Sequence, residues 1–525
     1  MKKNIGFILL IFISKIAFGQ SAQLIYSHCF GGYYDEVFNQ VRLDSGRTVY
    51  AFGSEASNDG DVTSHFGPAH IPNFWYLKVD VTGNITNQLS FGGSGGDYGL
   101  DFLFNPNNLP VFSGTASSLD GQVIGDHPLS GNPGGSTDDY WLFKTDTGSN
   151  ILWQGCYGGG NEDVLYGMCS SKDGGYLLAG TTNSSDGDVQ VLNGVYYNMW
   201  VVKADSVGHK IWASCVGATN SSSNQGSSVC ELADSSVIFG GDGDSHFTNY
   251  HSGGADIQIA KFDKSGSLLW TKCFGGTGID NCVKLLSDGL NFFIIGLTTS
   301  SDGDVTGALG GVDVWIAKID SGGNKLWDRC YGGSNWDWPN GAVRTSDGGI
   351  AFAGFSNSND GIFVSGTQGG EDIWAAKIDS VGNLQWGKSI GGSLNDEGNS
   401  IAEIDPHHYV VCGYSQSSDG DMNINHGGKD AWIGEIEVSP VNVPSVIEAS
   451  SLLTATYMDE NLRVNIASSG QQRILLTVCD ILGRKTYEQI VILKTGYNDN
   501  EIYLPGLKGI YIVKAGNSSV KIVAE

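Results

Sequence analysis

A short pattern, clearest as W-T-K-C-F-G-G from Trp270 and again as K-L-W-D-R-C-Y-G-G ending at Gly333, recurs seven times at intervals of about 60 residues. Self-similarity at that period means that each copy is one supersecondary unit, unable to bury its apolar face alone. A chain of 525 residues would otherwise suggest several domains, but a repeat array can place most of that length in one body.

Within a copy, four apolar-polar alternating segments are separated by clusters of Gly, Asp, Asn and Ser, the signature of strands and turns. In one copy they are 282–287, 291–300, 313–320 and 325–332. Short turns join the first to the second segment (Ser-Asp-Gly) and the third to the fourth (Asp-Ser-Gly-Gly-Asn). Four antiparallel strands repeated radially describe a β-propeller blade. A stacked β-solenoid is the second reading, disfavoured because its turns are shorter and four strands per repeat are unusual.

Third strands, marked by x-W-x-x-K, fall at Trp75, Trp141, Trp200, Gln258, Trp315, Trp374 and Trp432, so seven blades are expected. Only six are followed by a fourth strand; after Glu437 the chain turns to V-S-P-V-N-V-P. The missing strand is Leu24–Gly31 at the other end, which predicts that the N-terminal strand completes the last blade and closes the ring. Trp153, Trp212, Trp270, Trp327 and Trp386 open the recurring fourth strands and are expected to pack between blades.

The net charge of −27 lacks the basic footprint that a phosphate backbone demands, which excludes nucleic acid and disfavours anionic lipid surfaces. Met-Lys-Lys, an apolar run from Ile5 to Ile13 and small residues at Ala17 and Gly19 predict a signal peptide over 1–19. The mature protein is expected to be secreted or held on the outer cell surface, without membrane insertion. Of ten cysteines, Cys29, Cys156, Cys215, Cys273 and Cys330 share one repeat position that Ser90 and Ser389 fill elsewhere. A slot taking Cys or Ser reads as a small half-buried site holding a free thiol.

The expected organisation is a signal peptide (1–19), a propeller (20–438), a linker (439–450) and a C-terminal module (451–525). The repeats G-G-S-x-x-D … S-D-G-G-Y … A-G-x-T-x-S-x-D-G-D … D-x-W-x-x-K, as in 158–180 and 332–354, resemble the bacterial secreted β-propeller repeat family. That resemblance implies a propeller and an exterior location, and no single activity. The C-terminal module carries I-L-L-T-V-C-D-I-L-G-R-K, G-L-K-G-I-Y-I-V-K and K-I-V-A-E. These resemble the C-terminal sorting domain of the type IX secretion system, with V-S-P-V-N-V-P where Y-P-N-P is usual. The resemblance implies Gly483, Arg484, Lys485, Gly509, Ile510, Tyr511 and Lys514 as sorting-motif residues and the secretion machinery as partner. The module itself reads as a small β-sandwich of about seven strands.

The second-to-third and fourth-to-first connections of a blade share one face, and here both are acidic. Asp186 and Asp188, Asp302 and Asp304, and Asp419 and Asp421 offer hard oxygen ligands that suit calcium. Asp-Gly is equally a turn signal whose carboxylate caps backbone amides. Trp336 and Trp338 lie outside the repeat pattern and flank Asp337, so they can stack on sugar rings while the acid binds hydroxyls. Tyr33 and Tyr34, with Tyr196 and Tyr197, extend that candidate; a local hydrophobic plug is the plainer reading. His246, His251 and Asp244 form a loose metal alternative. Paired carboxylates admit a polysaccharide-acting enzyme, yet no nucleophile elbow, H-E-x-x-H or phosphate loop is present. The expected function is binding, of a glycan or a surface protein.

Overall fold

The computed structural model describes residues 20–128, 137–189, 197–217, 224–243, 253–360, 368–422, 424–440, 453–458, 461–468, 472–480, 485–494, 496–505, 509–515 and 518–524. The expected signal peptide, the expected linker from 441, Gly483, Arg484, Asp244, His246, His251 and Tyr196 lie outside them. The chain divides into two compact units, 1–440 and 441–525.

The first unit is a ring of seven four-stranded antiparallel sheets. Blades 1 to 6 span 36–91, 97–157, 163–216, 224–274, 280–331 and 337–390. Blade 7 takes three strands from 396–440 and its outer strand, Gln20–Phe30, from the N-terminus. That closing strand pairs with Asp430–Pro440 from Gln20 opposite Pro440 to Phe30 opposite Ala431. Its Ser27 hydroxyl accepts the buried Trp432 indole N–H at 2.7 Å. The ring thus has no open seam. The last propeller strand runs through Pro440, two residues beyond the expected propeller end at 438.

Seven apolar clusters, one per junction between neighbouring blades, form the core. Each sheet is therefore covered on both faces. That explains one departure from the alternation expected of every strand: Tyr176–Thr182 and Asn198–Ala204 are buried at all positions, as a sheet enclosed on both sides requires. The third-strand tryptophans are fully buried, with Gln258 buried in blade 4. Among outer-strand tryptophans only Trp386 is fully buried, whereas Trp153, Trp212, Trp270 and Trp327 are half-buried. They pack across junctions: Trp386 lies 4.9 Å from Tyr409 of blade 7, and Trp153 lies 5.8 Å from Tyr176 of blade 3.

Every inner strand carries a β-bulge at the same place, with Asn39, Leu100, Tyr166, Ser227, Val283, Asn340 and Asn399 as the extra residues. The bulge turns each inner strand toward the axis. The repeated second-strand glycine answers it. A Cβ at Gly53, Gly114, Gly180, Gly241, Gly296, Gly354 or Gly413 would lie 1.8 to 2.3 Å from the inner-strand carbonyl oxygen opposite, so no other residue fits.

Among its described residues the second unit has seven strands in two sheets. Leu453–Met458, Asn461–Ser468 and Gly496–Tyr503 form one, while Gln472–Asp480, Lys485–Leu493, Gly509–Ala515 and Ser518–Ala524 form the other. Leu462, Val464 and Ile466 of the first sheet share one cluster with Leu476, Val478 and Val513 of the second, which makes a small sandwich.

Candidate functional site

The first residue of each inner strand is Glu36, Asp97, Asp163, Asn224, Asp280, Asp337 or Asp396, and all seven are fully buried. The six acids accept the amide N–H of the glycine four residues earlier, for example Gly159 to Asp163 and Gly392 to Asp396, both at 2.8 Å. A serine hydroxyl from the second-to-third loop adds a second donor, Ser184 to Asp163 at 2.7 Å. The first acid of each D-G-D clasps the neighbouring loop: Asp186, Asp302 and Asp419 accept the N–H of Gly160, Thr277 and Ser393 at 2.7 to 2.8 Å. Asp421 accepts from Gly391 and Gln368, and Asp188 pairs with Lys210. The Lys325 ammonium donates to the carbonyl of Asp304. This is turn geometry, in which carboxylates serve backbone amides. Among the described residues no three His, Cys, Asp or Glu side chains converge to hold a metal.

Burial raises the carboxyl of Asp97 to about 6 and that of Asp163 to about 7, against the opposing pull of their hydroxyl and amide donors. The slot thiols shift likewise, Cys29 and Cys330 to about 12, chiefly through burial. None of the ten cysteines forms a disulfide.

The structure separates the aromatic candidates. Trp336 stands 52% exposed on the loop that opens blade 6. Asp337, expected to meet sugar hydroxyls, is instead fully buried and accepts from the Gly333 amide at 2.6 Å and the hydroxyls of Ser356 and Ser358 at 2.5 and 2.9 Å. It holds the loop and faces no ligand, because the repeat's capping slot claims it. Trp338 is half-buried and stacks on its cross-strand partner Phe355, with ring centroids 5.9 Å apart and planes 12° from parallel. Tyr33 and Tyr34, 69% and 37% exposed, meet edge to face two junctions away, so they do not extend the Trp336 site.

Trp336 forms one wall of a pocket of about 440 Å³ whose other side chains are Asn335, Asn357, Glu371 and Asn395. The Trp336 amide donates to Asn357 Oδ1 at 2.9 Å, and Asn395 Nδ2 donates to the Glu371 carboxylate at 3.2 Å. Burial raises the Glu371 carboxyl, Glu397 adds to the rise, and Lys429 opposes it. The sequence singled out the tryptophan and missed the amides. The available signal was asparagine at 357, shared by Asn183 of blade 3, where other equivalent loops carry Thr299 or Ala56.

A second pocket of about 420 Å³ lies on the same loop face between blades 2 and 3, lined by Ser117, Asp138, Asn161, Glu162, Asn183 and Tyr197. Its wiring repeats the first: the Glu162 amide donates to Asn183 Oδ1 at 2.8 Å, as Trp336 does to Asn357. Here the aromatic is Tyr197, whose hydroxyl donates to the Glu162 carboxylate.

The axial channel holds a cavity of about 640 Å³ lined by all seven inner strands. Ions span it. Asp101 of blade 2 accepts from Arg42 of blade 1 and Gln40, each at 2.8 Å, and lies 3.7 Å from Lys284 of blade 5 across the axis. Burial alone would raise the Asp101 carboxyl, but Arg42 and Lys284 hold it below its ordinary value.

The chain is a seven-bladed β-propeller protein with a small appended β-sandwich. No protein-family model matches it, and neither does any curated protein. Among solved structures it is similar to the WD40 domain of Pan2 from Neurospora crassa, at 7% identity over 79% of this chain and 95% of that one, with a TM-score of 0.42. Plexin A from Drosophila, solved with Semaphorin 1b, is similar at 8% identity over 80% and 88%, TM-score 0.41. The PQQ-bound aldose sugar dehydrogenase of Streptomyces coelicolor gives 10% identity over 80% and 98%, TM-score 0.33. The likeness is one of propeller architecture and extends to no activity.

Proposed function

We propose that this protein is an exported binding propeller whose loop face recognises a glycan at the cell exterior. The observation that carries the reading is the Trp336 pocket, where an exposed indole stands among Asn335, Asn357, Asn395 and Glu371. An aromatic wall offers stacking area to a sugar ring, and amides supply donors and acceptors for hydroxyls. A surface protein is the alternative partner. Hydrolysis is the weaker reading, because the acids of this face recur in most blades and accept hydrogen bonds from the amides of their own turns.

Trp336→Ala is expected to cut retention on a glycan array at least tenfold with an unchanged melting temperature. Equal retention by variant and wild type would remove the site.

Export rests on the signal-peptide pattern, and surface delivery on the type IX sorting resemblance of the C-terminal unit. Its seven-strand sandwich, with Val513 inside and Lys514 outside, is compatible with such a module. Removing 507–525 is expected to leave the protein in the periplasm. Normal display on the cell surface after that truncation would defeat the assignment.

A further inference from the structure

Resting on the glycan reading, we infer that the loop face binds one linear, neutral polysaccharide at two places at once, its strand crossing the channel mouth. Three observations converge on this. The two pockets are of like size and carry the same amide wiring with an aromatic and a carboxylate. One lies at blades 2 and 3 and the other at blades 6 and 7, almost opposite each other in a ring of seven.

The third observation is independent of the pockets. The second residue of each inner strand stands one step inside the mouth. That position is Val37, Val164, Gln225, Asn281 and Glu397 in blades 1, 3, 4, 5 and 7. It is aromatic only in blades 2 and 6, as Tyr98 and Trp338. The inner strands therefore place an aromatic residue near the mouth in blades 2 and 6, each a blade that contributes to one of the pockets, and Tyr98 is 48% exposed. An extended chain of sugars running from Trp336 over Trp338 and Tyr98 to Tyr197 meets an aromatic surface along its course.

Charge selects the polymer. The carboxylates lining the pockets are Glu371, Asp138 and Glu162, with no Lys, Arg or His beside them in either lining, in a chain of net charge −27. A uronate or sulfated polymer would be repelled. A hydroxyl-rich neutral polymer pays no such penalty, and two linked contacts raise its affinity by about 10²-fold or more over either alone.

The test is affinity electrophoresis of the full mature chain in gels containing β-1,3-glucan, xyloglucan or galactomannan, with alginate as the anionic probe. Calorimetry then follows with oligomers of the retained polymer, from disaccharide upward. Retardation by a neutral polymer and not by alginate is expected. Trp336→Ala and Tyr197→Ala should each weaken the polymer at least tenfold. The short oligomer should bind wild type at two sites per chain and either variant at one. Trp336→Phe and Tyr197→Phe should keep retention, which separates loss of an aromatic wall from misfolding. Loss in Trp336→Ala with none in Tyr197→Ala overturns two-point binding and leaves the single pocket standing. No retardation by any neutral polymer overturns the glycan reading itself, and stronger retardation by alginate overturns the class of ligand.

Discussion

Asp163 shows how one side chain records the repeat's logic. It faces Asp139 of the preceding blade across Gly158, where a Cβ would lie 2.0 Å from Asp139 Oδ1 and 2.7 Å from Asp163 Oδ2. Asp139 Oδ1 is buried without a hydrogen-bond partner. The same junction between blades 3 and 4 holds Asn198 and Asn224, so amides are tolerated there. Because burial lifts the Asp163 carboxyl to about 7, above its unfolded value, its protonated form stabilises the fold below pH about 4. That contribution is lost as pH rises through 7. Asp163→Asn should therefore flatten the fall in melting temperature between pH 4 and 8. Its amide can donate to Asp139 Oδ1, and a gain of about 1 kcal/mol at pH 8 is expected. A pH profile parallel to wild type would show that Asp163 is ionised without cost. Asp337 teaches the same lesson for function: the repeat slot it fills was visible in the sequence, but its burial was not. A capping acid and a ligand-binding acid look alike until the donors around them are placed.

Among elements, the closing strand shows what strand patterning makes legible. Leu24–Gly31 was recognisable because its Cys-Phe-Gly ending fits the pattern of the other outer strands, Cys or Ser, then an apolar residue, then Gly, and it pairs where the repeat count required. Blade number and strand order follow from a period that any register error would have broken. The bulges did not show. A bulge leaves no mark in apolar alternation, and only the invariable second-strand glycine hinted that backbone approached there. The pockets were half legible for a related reason: Trp336 breaks the repeat, whereas Asn335, Asn357 and Asn395 are ordinary loop residues until folding brings them together. Deleting 20–30 would leave Asp430–Pro440 as a bare edge and strip Leu24 and Cys29 from the blade 6 and 7 core. A fall in melting temperature of about 10 °C or more is expected by calorimetry. An unchanged transition would mean that the ring stands without its latch.

At the scale of the whole molecule, blades 6, 7, 1 and 2 are joined twice over. Asn340 donates to the Gly398 carbonyl, Asn399 to Phe38 and Asn39 to Gly99, at 3.2, 3.0 and 2.8 Å, so the bulge asparagines form a belt through the closure. The Arg42–Asp101–Lys284 bridge then ties opposite sides of the ring, so charged side chains brace it across the axis. All of these partners lie within 20–440, as does the full closing register. A chain ending at Pro440 should therefore fold by itself and unfold in one cooperative transition followed by calorimetry. Multiple or absent transitions would show that the ring depends on the rest of the chain.

The latch also sets an order of events in time. Ser27 and Trp432 stand 405 positions apart, so the closing strand must wait until six further blades and most of its own have been made before it finds its seat. Long-range pairing of this kind slows folding far more than it weakens the finished state. During that interval two solitary borders are open to pairing with a neighbouring copy, so fast translation at high concentration is the condition under which this protein would be lost to aggregates.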